Sequence, residues 1–250
     1  MNKRKTDLIL NVFLTALVLI ILLWFLLNLP TITEEFSRAI IESRAYIGLW
    51  KGLRVTLLLS LLGVALGTLF GAAFCALRMS EITAFRLSGR LLVEVLRGTP
   101  VVMLLMFLYF FVFRGSTIAA FYVAALGFGL NTGAHMAEIF RTSIEAINPK
   151  EIEAARMLGF SRVKAFLYIT LPQSWSIARP VYESSIISLL QWTTVAGYIS
   201  VTELTRIING LGSRTGDPFY SLFLGIVIYL GLAYVIRLFF WLGNKRGESR

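Results

Sequence analysis

From Asn148 to Pro172 the chain reads NPKEIEAARMLGFSRVKAFLYITLP, the only sizeable polar segment after residue 90. Pro149 suits a first helical turn, and Glu151 and Glu153 favourably face the positive end of a helix dipole. Gly159 is placed to take the left-handed conformation that ends such a helix, and Ser161 can cap a second helix running to about Ile169 before Leu171-Pro172 stops it. The expectation is two short helices joined by a tight turn. Ala154 and Ala155 give the first a low surface that another body could approach closely; a plain polar hairpin is the simpler alternative. The surroundings place the segment. The nearest charge-free stretches on either side, residues 115–137 and 184–202, each carry no Asp, Glu, Lys or Arg, and each has the length that crosses a bilayer as a helix, about 17–25 residues. The polar segment therefore lies between two membrane spans, as a compact knob or as a plain hairpin.

The same pattern holds along the chain. Further charge-free windows cover 8–33, 55–77, 98–113 and 218–236; the shorter 98–113 lengthens to Leu91–Phe113 if Glu94 and Arg97 lie near a helix end and reach the interface. Six spans are expected. With 57 % apolar and 15 % charged residues and a mean hydropathy of +0.75, the chain is far from the roughly 25 % charge of soluble domains. The first apolar run, Leu8 to Leu29 after Lys3, Arg4 and Lys5, is too long for a signal-peptide core of about 7–15 residues and ends without a small-residue cleavage site. It reads as an anchored helix. Assigning loops alternately puts 17 Lys and Arg on the side of the N-terminus and 7 on the other, so both termini are expected in the cytoplasm, in a multi-pass protein of a cell membrane. The formal charge of +10 then follows from topology, and regular basic–aromatic interleaving of a nucleic-acid surface is absent. One cysteine, Cys75, and one histidine, His135, exclude an intrachain disulfide and Cys/His metal clusters, so no structural metal is expected.

Between the first two spans, Phe36, Ile40, Ile41 and Ile47 fit a short amphipathic helix on the outer surface. Trp50-Lys51-Gly52-Leu53 opens the second span, where Gly63, Gly67 and Gly71 form a flat stripe on which another helix of the same chain can pack. At Arg97-Gly98-Thr99-Pro100, Thr99 can cap a helix and Pro100 fits its first turn, which predicts a helix start or kink. Gly127, Gly129, Asn131 and Gly133 predict a fourth span weakened or bent near mid-membrane, and irregular backbone there is tolerated only where it is buried or lines a cavity.

These residues carry a resemblance. Glu153-Ala154-Ala155, Gly159, Ile169 and Leu171-Pro172, at their spacing, resemble the EAA motif of type I ABC importer permeases. Trp50–Leu57 is similar to that family's W-x-G-L-x-x-T-L, and Val93–Pro100 resembles the V-E-x-x-R-G-T-P segment of its polar amino acid branch. Ala137–Arg141 and Leu171-Pro172-Gln173 also look like that branch. The likeness covers about residues 47–243. It implies an all-α integral membrane fold: a five-helix permease core at 47–243, with coupling helices at 148–172, preceded by an extra transmembrane helix and external segment at 1–46 and followed by a cytoplasmic tail at 244–250. It implies that Glu153, Ala154, Ala155, Gly159, Leu171 and Pro172 dock on an ATPase subunit. It further implies a pair of ATPase subunits that hold the ATP and Mg, a second permease chain, identical or paralogous, an external solute-binding protein, and a polar amino acid as cargo. The surrounding partner is membrane lipid, with no nucleic acid. Three departures stand out: Glu151-Ile152 where the branch has Gly-Gln, His135 where Tyr is common, and Gln191-Trp192-Thr193-Thr194 where it favours Lys-Asp-Thr-Ser. The last falls in the fifth span and bears on the ligand.

Polar groups inside spans are candidates to line the path: His135, Glu138, Gln191, Thr193, Thr194 and, towards the outer side, Glu203. Each has a structural alternative. Glu138 and Arg141, three apart on a helix, can pair; His135 can be a packed core group; Thr193, Thr194 and Ser188 can bond to neighbouring backbone; Glu203 can hold an outer gate or sit in a solvated loop. No G-x-x-x-x-G-K-[ST] loop occurs, so the chain itself has no ATPase motif and no cofactor of its own is expected. A secondary transporter or channel is the competing class, but it would show paired broken helices in inverted repeats and leaves the knob unexplained. A membrane-embedded enzyme would need H-E-x-x-H or G-x-S-x-G, and neither is present.

Overall fold

The computed structural model describes residues 45–216 and 218–248, so the expected first span and most of the segment after it lie outside the described residues, as does the end of the tail. Everything described is helix or short connection. In chain order the elements are α1 (Ala45–Arg78), α2 (Thr83–Gly98), α3 (Val101–Phe107), which runs into a π turn at Leu108–Val112, and α4 (Ala120–Glu145). There follow α5 (Pro149–Met157), α6 (Arg162–Ala165) with a π turn at Phe166–Thr170, α7 (Leu171–Trp192) with a 3-10 turn at Thr193–Ile199, α8 (Leu204–Thr215) and α9 (Pro218–Glu248).

α1 is 34 residues, about 51 Å at 1.5 Å per residue, and its closest partner is α4. The glycine stripe explains why. A Cβ on Gly71 would stand 2.7 Å from Met136 Cβ and 3.2 Å from the Gly133 carbonyl oxygen, and one on Gly133 would meet Phe70 Cβ at 2.7 Å. The stripe therefore packs within the chain, as expected, and brings the two backbones into direct apposition. The glycines of α4 take part in this packing, and α4 is a single unbroken helix of 26 residues. The expected mid-membrane weakness is not there, because glycines that let helices approach also leave the ladder walled in by neighbours. Leu59, Leu105, Phe128, Leu189 and Ile199 form one core where α1, α3, α4 and α7 meet, and Phe74, Val93, Leu96, Leu104 and Ala134 a second nearer α2.

The expected third span is two helices bent by 105°. Pro100 accounts for the break. It has no N–H to give the carbonyl four residues back, that of Leu96, and Asn131 on α4 supplies a donor instead, Nδ2 to the Leu96 oxygen at 3.0 Å. Thr99 does not cap α3. Its N–H bonds to the Val95 carbonyl at 3.0 Å and its hydroxyl donates to the same oxygen at 2.7 Å, closing α2.

The second knob helix does not stop at Leu171-Pro172. The π turn at Phe166–Thr170 carries it into α7, with Pro172 in that helix's first turn. The turn widens just before the proline, and Pro172 stands in the first turn of α7, where its missing N–H is tolerated.

Among the described residues, α1 and the Pro218–Gly243 part of α9 are long and apolar enough to cross a membrane, and α2 with α3 makes a third if the bent pair is one span. α4 and α7 are more polar. α4 is buried on several sides, with Asn131, Thr132 and Ser143 among its buried residues, and a helix surrounded by other helices does not need an apolar surface all round. The described residues thus do not establish the count of six.

Candidate functional site

The knob is built as its sequence dictates. Asn148 caps α5, its side-chain oxygen accepting the Lys150 N–H at 3.0 Å, and Pro149 fills the first turn. Gly159 has φ +86°, a conformation costly for any residue with a Cβ. That residue lets the Phe160 N–H return to the Ala155 carbonyl at 3.1 Å, while the Arg156 guanidinium donates to the Phe160 carbonyl at 3.1 Å. Ser161 then caps α6 from Lys164 N–H at 3.2 Å. Gln173 Nε2 donates to Glu151 Oε2 at 2.7 Å and ties α5 to the start of α7.

Of the six expected coupling residues, Ala155 is buried against the knob's own interior, 3 % exposed, together with Ala165. Glu153, Ala154, Gly159, Leu171 and Pro172 are exposed. Beside them the structure places apolar side chains that the sequence reading passed over: Met157 is 84 % exposed, Leu158 81 %, Tyr168 71 % and Val163 66 %. Their signal was available, two large apolar residues immediately before the turn glycine of a polar helix. These four side chains form an exposed apolar cap on an otherwise polar segment.

A second constellation gathers where α1, α2 and α4 meet. Glu138 is ion-paired with Arg78 of α1 and Arg141 of its own helix, and Arg97 of α2 stands 3.8 Å away. Arg141 also pairs with Glu145. Glu138 therefore pairs with Arg141 as its spacing allowed, and also clamps three helices. One turn along α4, the half-buried His135 ring lies 5.5 Å from that of Trp192 on α7. Gln191 is exposed. The two threonines after it are used within the fold: Thr193, fully buried, donates to the Leu190 carbonyl at 2.6 Å, and Thr194 to that of Gln191 at 2.8 Å. Asn131, which the sequence marked only as part of a weak segment, holds the bend between α2 and α3.

Glu203, 0 % exposed, is the N-cap of α8. Its carboxylate accepts the N–H groups of Thr205 at 2.6 Å and Arg206 at 2.7 Å and the Tyr229 hydroxyl at 3.3 Å. Burial pushes that carboxyl above the ordinary range, against those donors, which draw it down. With Thr194, Tyr198, Arg206 and Asn209 it lines a cavity of about 490 Å³. A cavity of about 580 Å³ between α1, α4 and α7, lined by residues such as Ala72, Cys75, Met79, Phe140 and Trp175, is almost wholly apolar and offers little to a polar solute. Among the described residues no cluster of His, Cys, Asp and Glu could hold a metal ion.

The knob, the glycine-packed pair α1 and α4, and the absence of any nucleotide-binding loop can be set beside known proteins. Residues 63–246 match the family described as binding-protein-dependent transport system inner membrane component. The chain belongs to that family. This permease is 32 % identical over 204 residues to the probable amino-acid ABC transporter permease protein YckA of Bacillus subtilis, covering 81 % of its own length and 89 % of that protein. It is 30 % identical over 230 residues to the histidine/lysine/arginine/ornithine transport system permease protein HisM of Salmonella typhimurium, covering 88 % and 95 %. Its fold matches a chain in the crystal structure of an amino acid ABC transporter with histidines, with a TM-score of 0.74, 29 % identity, and coverage of 82 % and 96 %. The chain is thus a membrane permease subunit of an ABC importer; it is not itself an enzyme, and ATP hydrolysis belongs to another subunit.

Proposed function

We propose that this permease carries a polar amino acid into a bacterial cell and couples to its ATPase through the knob at 149–170. The observation that carries the coupling reading is the knob's construction. A left-handed turn at Gly159 presents Met157 and Leu158 outward, beside exposed Glu153 and Ala154, on a body braced to α7 by Gln173. ATP-driven closure of two ATPase subunits, which hold the ATP and Mg, would draw the knobs of two permease chains together. Because α6 runs through a π turn into α7, movement of the knob is passed along a continuous helix to the residues beside the path. An external solute-binding protein delivers the cargo on the opposite side. Both termini then lie in the cytoplasm, following the Lys and Arg bias. Polar amino acids as cargo are supported by the relatives' own substrates.

The candidates to line the path are His135, Glu138, Gln191, Thr193, Thr194 and Glu203, of which Glu138, Thr193, Thr194 and Glu203 also make bonds within the fold. The test is affinity purification of the tagged chain from its native membrane in mild detergent, followed by mass spectrometry. The expected result is an ABC ATPase recovered with the wild type and lost with Gly159→Arg, whose membrane insertion stays intact. Wild-type amounts of ATPase with that variant, together with normal uptake, would overturn the coupling assignment.

A further inference from the structure

We propose that the apolar cavity between α1, α4 and α7 holds one acyl chain of a phospholipid from the leaflet on the knob side, with the lipid's phosphate at Arg162. At about 580 Å³ the cavity falls within the range of sites that take small organic ligands, about 300–1,000 Å³. Ala72, Cys75, Ala76 and Met79 of α1 face Phe140 of α4 and Trp175 of α7 across it, and none of its lining residues carries a charge. Thr68 and Ser174 spend their hydroxyls within the fold. Thr68 donates to the Val64 carbonyl at 2.7 Å and lies 2.8 Å from the Tyr182 hydroxyl, and Ser174 donates to the Leu171 carbonyl at 3.1 Å. The Cys75 sulfur lies 3.7 Å from that of Met79, and a buried thiol of this kind behaves as a small hydrophobe. A polar solute entering here would give up its bonds to water and regain few, whereas an alkyl chain has none to give up.

Depth and rim select the occupant. From Thr68 to Met79 the α1 wall is about 17 Å long, at about 1.5 Å per residue. One leaflet supplies about half of a roughly 30 Å hydrocarbon core, so the wall runs the distance that an acyl chain covers. Met79 follows Arg78, the last residue of α1, which sets this end of the cavity at the knob-side surface. The exposed part of the lining gathers there, at Met79, at Phe166 in the π turn, and at Leu171 and Trp175 in the first turns of α7, while Ser174 and Ala178 are buried. An exposed tryptophan suits the boundary between hydrocarbon and headgroups. Arg162 stands one turn before Phe166, whose N–H bonds to the Arg162 carbonyl. Its ion pair with Glu81, two residues beyond Met79, is 3.6 Å long and spans the mouth, with both side chains 83 % and 93 % exposed. Such a pair contributes little, and its guanidinium is open to a phosphate. The acyl chain would thus fill the space between α1 and the segment that joins the knob to α7.

The experiment uses the full permease, purified in detergent from its native membrane with its co-purifying subunits, washed of loosely held lipid and titrated with dioleoylphosphatidylglycerol. Native mass spectrometry counts lipid per permease chain. The expected result is one lipid that survives washing. Ala76→Phe, whose ring occupies the cavity, should weaken its binding at least about tenfold, since excluding two methylenes alone costs about that much. Should that variant fail to assemble, Ala72→Leu carries the test, with a loss of at least about fivefold. Arg162→Ala should weaken binding about fivefold, and Leu69→Phe, on an exposed part of α1 outside the cavity, should leave it unchanged. A phosphatidylglycerol with a diazirine near the end of one acyl chain should label residues 68–79, Phe140 and Trp175 in preference to outward apolar residues such as Phe111 and Val235. Equal retention by wild type and a folded Ala76→Phe complex, or labelling spread evenly over the outward residues, would leave only boundary lipid and overturn the site. So would cross-links from p-benzoylphenylalanine in place of Ala76 to the run Leu8 to Leu29 or to a second permease chain, because protein would then fill the cavity. Undiminished binding in Arg162→Ala would overturn the placement of the phosphate.

Discussion

Replacing Asn131 removes the donor that the bend between α2 and α3 depends on. Pro100 leaves the Leu96 carbonyl without its helical partner, and Asn131 Nδ2 fills the vacancy at 3.0 Å. Asn131 is 3 % exposed and Leu96 7 %, so water has little access to either. Asn131→Leu keeps roughly the side chain's size and removes its N–H donors without adding a charge; the buried carbonyl then goes unsatisfied, at a cost of about 1–3 kcal/mol. That corresponds to roughly a five- to 150-fold rise in local opening. Hydrogen exchange at Gly98, Thr99 and Val101 in the solubilised complex reads this directly, with amides in the middle of α1 as the internal reference. The expected result is faster exchange confined to the bend, accompanied by a lower midpoint of detergent-induced unfolding. Asn131→Ala, which removes the same donors and leaves a small void as well, should give an effect at least as large. If Asn131→Leu exchanged at the wild-type rate at all three amides, with an unchanged midpoint, the bond would not be what holds the bend.

Two further outcomes follow from the packing and from the knob. Gly71→Val inserts a side chain whose Cβ alone would sit 2.7 Å from Met136 Cβ, so unfolding should be easier by about 1–3 kcal/mol, whereas Gly98→Ala, with nothing within 4 Å of its Cβ, should change it by less than about 0.5 kcal/mol; equal effects would refute the close-packed stripe. Met157→Ser with Leu158→Ser should leave the unfolding midpoint unchanged, because these side chains are 84 % and 81 % exposed, while reducing ATPase recovery in pull-down by at least about tenfold; undiminished recovery would place the docking surface elsewhere.

Much of this protein is decided by local rules that need no neighbours. The capped start of α5 at Asn148-Pro149, the left-handed turn at Gly159 and the cap at Ser161 are short-range backbone chemistry, and all three stand where the sequence puts them. The charge-free windows mark α1 and α9 because lipid solvation acts on each segment separately. The spacing of Glu138 and Arg141 announced a pair for the same reason.

The tertiary structure decided what depends on which helices touch. A glycine run reads the same whether it weakens a helix or admits a partner; Gly129 and Gly133 face α1 and Gly127 faces Leu105 of α3, so all three are packing surface and α4 is unbroken. Leu171-Pro172 reads as a stop, yet the π turn before it carries the helix onward. Pro100 announces a carbonyl in need of a donor without saying that Asn131, 35 positions from Leu96, will provide it. Thr193, Thr194 and Glu203 read from the sequence as path residues or as groups bonded within the fold, and the fold supplies the bonds each makes; Arg97, placed by the sequence near a helix end, is found beside Glu138. In each case the sequence names a polar group or a break, and only the packed neighbours determine which bonds are already made and which remain open to a solute.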